Sequence, residues 1–176
     1  SYPSGAMPEN PRWFSPPAFG MTDYSDLFTN RQLTALTTFS SLVAEAQAKA
    51  EADAVAAGVV NDHIALSAGG SGTRAYGEAV GVYLSFGVSR LTDICNALCR
   101  WEVSKTQVRN LFGRQAIPML WDYAENNVFA GAAGDYTTSL GSIIKVLERF
   151  NSNIPGVAKQ FDAQSDCGLR NIMVST

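Results

Sequence analysis

The sequence predicts a mainly α-helical chain whose β signal is confined to its C-terminal end. Three observations carry that expectation. Two long segments, about 29–58 and 73–98, combine helix-forming residues with apolar positions at three-to-four spacing. Thr29-Asn30-Arg31-Gln32 and Ser104-Lys105-Thr106-Gln107 each place a hydroxyl residue three positions before a Gln, the two halves of a capping box. Beyond Pro155-Gly156, segments 157–161 and 171–175 are short apolar runs that read as two strands separated by a turn.

At 176 residues the chain has the length of one domain, enough to bury roughly two-thirds of its unfolded surface without disulfide staples. Hydrophobic residues make up 46% and charged residues 16%, which excludes a wholly disordered chain. The net charge of -3 excludes a protein that grips nucleic acid over its whole surface, although a local basic patch is compatible with it. The longest uncharged stretch of the most apolar segment, between Glu78 and Arg90, is 11 residues, too short for a bilayer, so no membrane association is expected. Three cysteines argue against a disulfide framework and for a reducing, cytoplasmic setting.

Residues 1–28 interleave Pro3, Pro8, Pro11, Pro16 and Pro17 with Trp13, Phe14, Phe19, Tyr24 and Phe28. They are expected to wrap over a core as an extended segment. The first helix is expected from Thr29 to near Gly58, with Leu33, Leu36, Phe39, Leu42 and Val43 inward. Its alternating alanines mimic a strand period, but Ala, Glu, Gln and Lys are poor strand formers. After a connection ending in Gly69-Gly70-Ser71-Gly72, the second helix is expected over about 73–98. Its apolar stripe would run through Tyr76, Val80, Tyr83, Leu84, Gly87, Leu91, Ile94 and Leu98. Gly77, Gly81 and Ser85 make a smooth face suited to close approach by the alanine-rich helix. Short helices are expected from Ser104 toward Phe112, and from Pro118 through Trp121 and Tyr123 to about Asn126. A last helix, about 136–151, would bury Leu140, Ile143, Ile144 and Leu147.

Most candidate chemistry has a plain structural explanation. His63, the sole histidine, has no nucleophile motif beside it. Cys95 and Cys99 lack a second pair to complete a zinc site and are expected as buried free thiols. The loop 69–72 precedes a helix but lacks the Gly-Lys-Ser/Thr ending of a phosphate-binding loop. Asp122 and Glu125 suit a solvated helix start better than a catalytic pair. No catalytic residue and no metal ligand is therefore assigned. Segment 99–114 differs, because Arg100, Lys105, Arg109 and Arg114 face only Glu102, a balance of +3. Trp101, Asn110, Phe112 and the adjoining Gln115 are interleaved with them. Arginine, planar and amide side chains suit phosphate contact, stacking and base-edge hydrogen bonds. An internal salt-bridge and packing corner accounts for the same residues equally well.

Four strings carry a resemblance: Phe28-Thr29-Asn30-Arg31-Gln32-Leu33, Leu36-Thr37-Thr38-Phe39, Leu98-Cys99-Arg100-Trp101, and the block from Asn110 through Gly113-Arg114-Gln115-Ala116-Ile117-Pro118-Met119-Leu120-Trp121 to Glu125. Over about 20–176 the chain resembles the large bacterial and archaeal adenine-specific DNA methylases that include zinc-ribbon-bearing and anti-phage-associated members. The resemblance implies a helical insert domain of an α/β, Rossmann-like methyltransferase, with the helical domain at 29–152 and a two-strand edge of the catalytic core at 153–176. The family's glycine-rich S-adenosylmethionine motif and its Asp-Pro-Pro-Tyr motif do not occur in this sequence. The chain is thus expected to be an interior piece of a longer enzyme, ending at the edge of the catalytic loop. It is expected to be inactive alone and to bind no cofactor by itself.

In the full enzyme the resemblance implies S-adenosylmethionine as cofactor, with Asp162 in the place of the acidic residue that bonds the adenine amino group. It implies DNA as partner, through Arg100, Trp101, Lys105, Arg109, Asn110, Arg114 and Gln115, alongside the remainder of the methyltransferase chain. The isolated piece could also form a homo-oligomer through apolar surface that the missing parts would cover. A purely structural or partner-binding helical domain is the alternative.

Overall fold

In the computed structural model, which describes residues 2–10 and 12–150, the chain is mainly helical, with a small two-stranded antiparallel sheet. Segments 157–161 and 171–175, the edge at 153–176 and Asp162 lie outside the described residues.

Helix α1 (Asn30–Ala56) starts at the expected capping box: Gln32 N–H donates to Thr29 Oγ1 at 3.3 Å, and Thr29 N–H donates to Gln32 Oε1 at 2.8 Å. It ends at the expected glycine. Gly58 (φ +80°) donates to Val55 O at 3.0 Å and Val59 to Ala54 O at 3.1 Å, the paired bonds of a Schellman turn.

Helix α2 (Thr73–Ile94) runs back along α1. A Cβ on Gly77 would lie 2.9 Å from Gln47 O and 3.0 Å from Glu51 Cβ, so the expected smooth face is what the alanine-rich helix packs against. Of the expected apolar stripe, Gly87, Leu91 and Leu98 are buried and Val80, Tyr83, Leu84 and Ile94 half-buried, and the departure is at Tyr76. The buried positions of α2 are Thr73, Ala75, Gly77, Gly81, Gly87 and Leu91, whereas Tyr76 is exposed. Turning the small residues inward rotates the aromatic side away from α1.

The helix stops at Ile94 rather than near residue 98. Fully buried Asn96 stops it by donating from Nδ2 to Thr92 O at 3.0 Å and accepting Leu98 N–H on Oδ1 at 3.0 Å. Its amide thus replaces the next helical turn.

The helix expected from Ser104 is instead a hairpin, β1 (Trp101–Glu102) paired with β2 (Gln107–Val108). Residues 103–106 form its loop, with Thr106 at φ +49°. Cross-strand pairing of Trp101 with Val108 overrides the local cap pattern. The helix expected from Pro118 is absent as well. Ile117 N–H donates to Trp13 O at 2.7 Å, Ser15 N–H to Ile117 O at 3.2 Å and Met119 N–H to Ser15 Oγ at 2.6 Å. The N-terminal segment therefore holds 117–119 extended, a conformation that Pro118 already favours for the residue before it.

Helix α3 (Tyr136–Leu147) is capped by Asp135, which accepts Thr137 N–H at 2.6 Å and Thr138 N–H at 3.2 Å. It packs on α2 at Gly87, where a Cβ would meet the Tyr136 ring at 2.9 Å and Leu140 at 3.0 Å. Leu140, Ile143 and Leu147 are half-buried as their spacing predicts, but Ile144 is exposed.

Two apolar clusters share Phe28. One gathers Met7, Leu27, Leu98, Leu111 and Ile117, and the other Leu36, Leu91, Cys95 and Val128. The Pro-rich start thus supplies core residues to the stretch that follows α2.

Candidate nucleic-acid interface

The hairpin positions the cationic segment. Its base is buried, since Cys99 is fully inside and Leu98 nearly so, and Arg109 N–H donates to Arg100 O at 2.9 Å. Asp93, in the last turn of α2, holds the chain after β2: its backbone O accepts Leu111 N–H at 2.9 Å and its Oδ1 accepts Phe112 N–H at 2.7 Å. The loop 110–115 is therefore anchored at one end, with Leu111 turned into the core and Asn110, Phe112, Arg114 and Gln115 exposed.

Strand alternation places Glu102, Gln107 and Arg109 on one face of the hairpin and Trp101 with Val108 on the other. Arg109 Nε lies 3.3 Å from Glu102 Oε2, so this arginine is partly committed to an internal ion pair. Arg100, Lys105 and Arg114 are exposed and make no ion pair among the described residues. Trp101 is 51% exposed, and Asn110 and Gln115 are also on the surface. The segment thus holds one arginine in an ion pair within the hairpin, three exposed cations and an exposed indole. Such a surface can bind phosphates through the cations and stack an unpaired base on the ring.

Beside the hairpin lies a cleft of about 370 Å³. One wall is the end of α2, with Arg90, Asp93 and Ile94. The second is Gln107 to Asn110, and the third is α3 with the turn before it, including Thr138 and Ser142. Of its lining residues, the sequence singled out Arg109 and Asn110 as candidates for nucleic-acid contact but not Arg90, Asp93, Thr138 or Ser142. Spacing of three and four puts Arg90, Asp93 and Ile94 on one helical face, a signal legible in the sequence. The contribution of α3 comes only through its packing on Gly87.

The other candidates resolve structurally. Burial pushes the Cys95 and Cys99 thiols up to about 11, with the Glu125 charge adding to the first and the Asp93 charge to the second. Both are buried free thiols. With α2 ending at Ile94, Cys95 caps the helix and Cys99 lies in the chain that follows it. Glu125 pairs with Arg31, so Asp122 and Glu125 do not form an acid pair on a helix. His63 is exposed with φ +55°, and no cluster of metal-ligating side chains occurs among the described residues.

The amides of the 69–72 loop are already engaged. Asp62 Oδ2 accepts Ser71 N–H at 2.8 Å and Gly72 N–H at 3.0 Å, so an internal carboxylate stands where a phosphate would. Among the described residues no helix is long and apolar enough to cross a membrane. Comparison of the chain with protein-family models, with curated proteins and with solved structures finds no match.

Proposed function

We propose that this chain is the helical insert of an S-adenosylmethionine-dependent, adenine-specific DNA methyltransferase with an α/β, Rossmann-like core, and that the hairpin of β1 and β2 contacts the DNA. The observation that carries the DNA contact is the exposure of the cations Arg100, Lys105 and Arg114 in and just after the hairpin that also exposes Trp101. The methyltransferase assignment rests on the sequence resemblance. In that enzyme the remainder of the chain holds the cofactor, with Asp162 directed to its adenine. The target adenine leaves the base stack to reach the methyl donor, while the insert holds the backbone. The isolated chain transfers no methyl group. A cytoplasmic enzyme accords with the free thiols.

Duplex DNA binding measured across a salt series tests this reading. The combined variant Arg100→Ala, Lys105→Ala, Arg114→Ala is expected to bind more weakly, and its log-log salt slope to flatten by about 0.9 for each phosphate it no longer neutralises. Unchanged affinity in a variant with intact helical signal, or no salt-dependent binding by the parent chain, overturns it.

A second reading, a structural or partner-binding domain, is favoured by large apolar side chains exposed away from the hairpin, among them Phe86, Trp121 and Phe129. It predicts protection of these residues by another part of the enzyme or by a second copy, without DNA affinity.

A further inference from the structure

We infer that the cleft between the end of α2, β2 and α3 receives a single nucleotide unit, its phosphate on Arg90 and Arg109 and its base edge on Asp93 and Asn110. At about 370 Å³ the cleft falls within the range of small-ligand sites. Its walls specify the ligand's chemistry. Two guanidiniums call for an anionic group: Arg90 makes no ion pair among the described residues, and Arg109, whose Nε lies 3.3 Å from Glu102 Oε2, carries five N–H donors, more than one carboxylate can accept.

Asp93 disfavours a simple polyanion. Its Oδ1 accepts Phe112 N–H at 2.7 Å, while the carboxylate retains capacity for a donor brought by a ligand. Neither the Asn110 amide nor the Thr138 hydroxyl makes a side-chain hydrogen bond among the described residues, so both can serve a polar edge. Ile94 and Val108 supply apolar surface for a planar ring. A nucleotide carries an anion, a hydrogen-bonding edge and a flat apolar face together. Inorganic phosphate lacks the last two, and a nucleoside lacks the first.

That a DNA strand delivers the nucleotide rests on the DNA reading above; the chemistry of the cleft does not. The test is titration of the chain with deoxyadenosine 5′-monophosphate, followed by backbone amide shifts, with deoxyadenosine and inorganic phosphate as controls. Saturable shifts are expected at 90–94, 107–110 and 133–142, with either control binding about tenfold more weakly or worse. Ser142→Trp, which fills the cleft from an exposed helix position, and Arg90→Gln, at the exposed end of α2, are each expected to weaken binding about tenfold with the helical spectrum intact. Shifts confined to the hairpin, equal binding of phosphate alone, or unchanged affinity in both variants overturns the inference. The Arg100, Lys105 and Arg114 variant keeps its nucleotide affinity whether or not its duplex affinity changes, so failure of the DNA reading and failure of the cleft are distinguishable.

Discussion

The Asp62 carboxylate accepts the backbone N–H of Ser71 at 2.8 Å, tying the middle of the interhelical connection to the start of α2. The same side chain accepts from Ile64 and Gly72, both at 3.0 Å. Gly72 has no room for a Cβ, which would meet Asp62 Oδ1 at 2.5 Å. Glycine here serves the carboxylate's approach to the backbone.

Acid is expected to loosen this connection. The Ser71 and Ile64 amides hold Asp62 below its ordinary 3.8, and backbone donors likewise lower Asp23 and Asp135, through Ser25 and Gly131 foremost. A carboxylate with a depressed folded pKa contributes stability that is fully present above its unfolded value and lost as pH falls through its folded value. Melting temperature should therefore hold near neutrality and drop as pH falls below about 4. Asp62→Asn should be less stable at neutral pH and show a shallower acid decline. A parallel decline in both proteins would count against the Asp62 contribution.

Gly77→Ala and Gly141→Ala should act in opposite directions. Alanine gains about 1 kcal/mol of helix propensity at either site. At Gly77 the new methyl meets Gln47 O at 2.9 Å, a backbone atom that cannot step aside. Overpacking of about 1–3 kcal/mol should outweigh the gain and lower the denaturation midpoint. At Gly141 in α3 nothing lies within 4 Å, so the midpoint should rise.

Asn96→Ala removes both the donor to Thr92 O and the acceptor for Leu98 N–H in a fully buried setting. Leaving these groups unpaired should cost roughly 2 kcal/mol. Urea unfolding would measure it, and hydrogen exchange at Leu98 should accelerate beyond the global change.

Cys95 and Cys99, both buried and with thiols pushed up to about 11, should resist alkylation at pH 8 in the native chain and react once urea unfolds it. Peptide mass mapping separates them from Cys167. Rapid native labelling of either would contradict its burial.

The helix ends that could be read from the sequence are those governed by neighbours in the chain. Thr29 with Gln32 and Gly58 after Ala56 act within one turn, so their types and spacing were sufficient. Gly77 and Gly81 were legible as a close-packing face because the absence of side chains is itself the signal. Of the candidate interface, the exposed cations were visible as a charge imbalance. The Arg109–Glu102 pair was not, because its geometry depends on a hairpin that local capping chemistry argued against.

Sequence alone thus determined the two long helices, the entry and exit of the first, and the small-residue seam between them, because each depends on local propensity or on side-chain size. Tertiary structure decided the rest. Cross-strand pairing converted Ser104-Lys105-Thr106-Gln107 into part of a hairpin loop and the start of β2, hydrogen bonds with Trp13 and Ser15 drew 117–119 out into an extended run, and the packing of α3 on Gly87 closed a cleft whose walls come from three distant parts of the chain. The physical reason is common to all three: where local preferences are weak, hydrogen bonds and contacts with remote residues outweigh them.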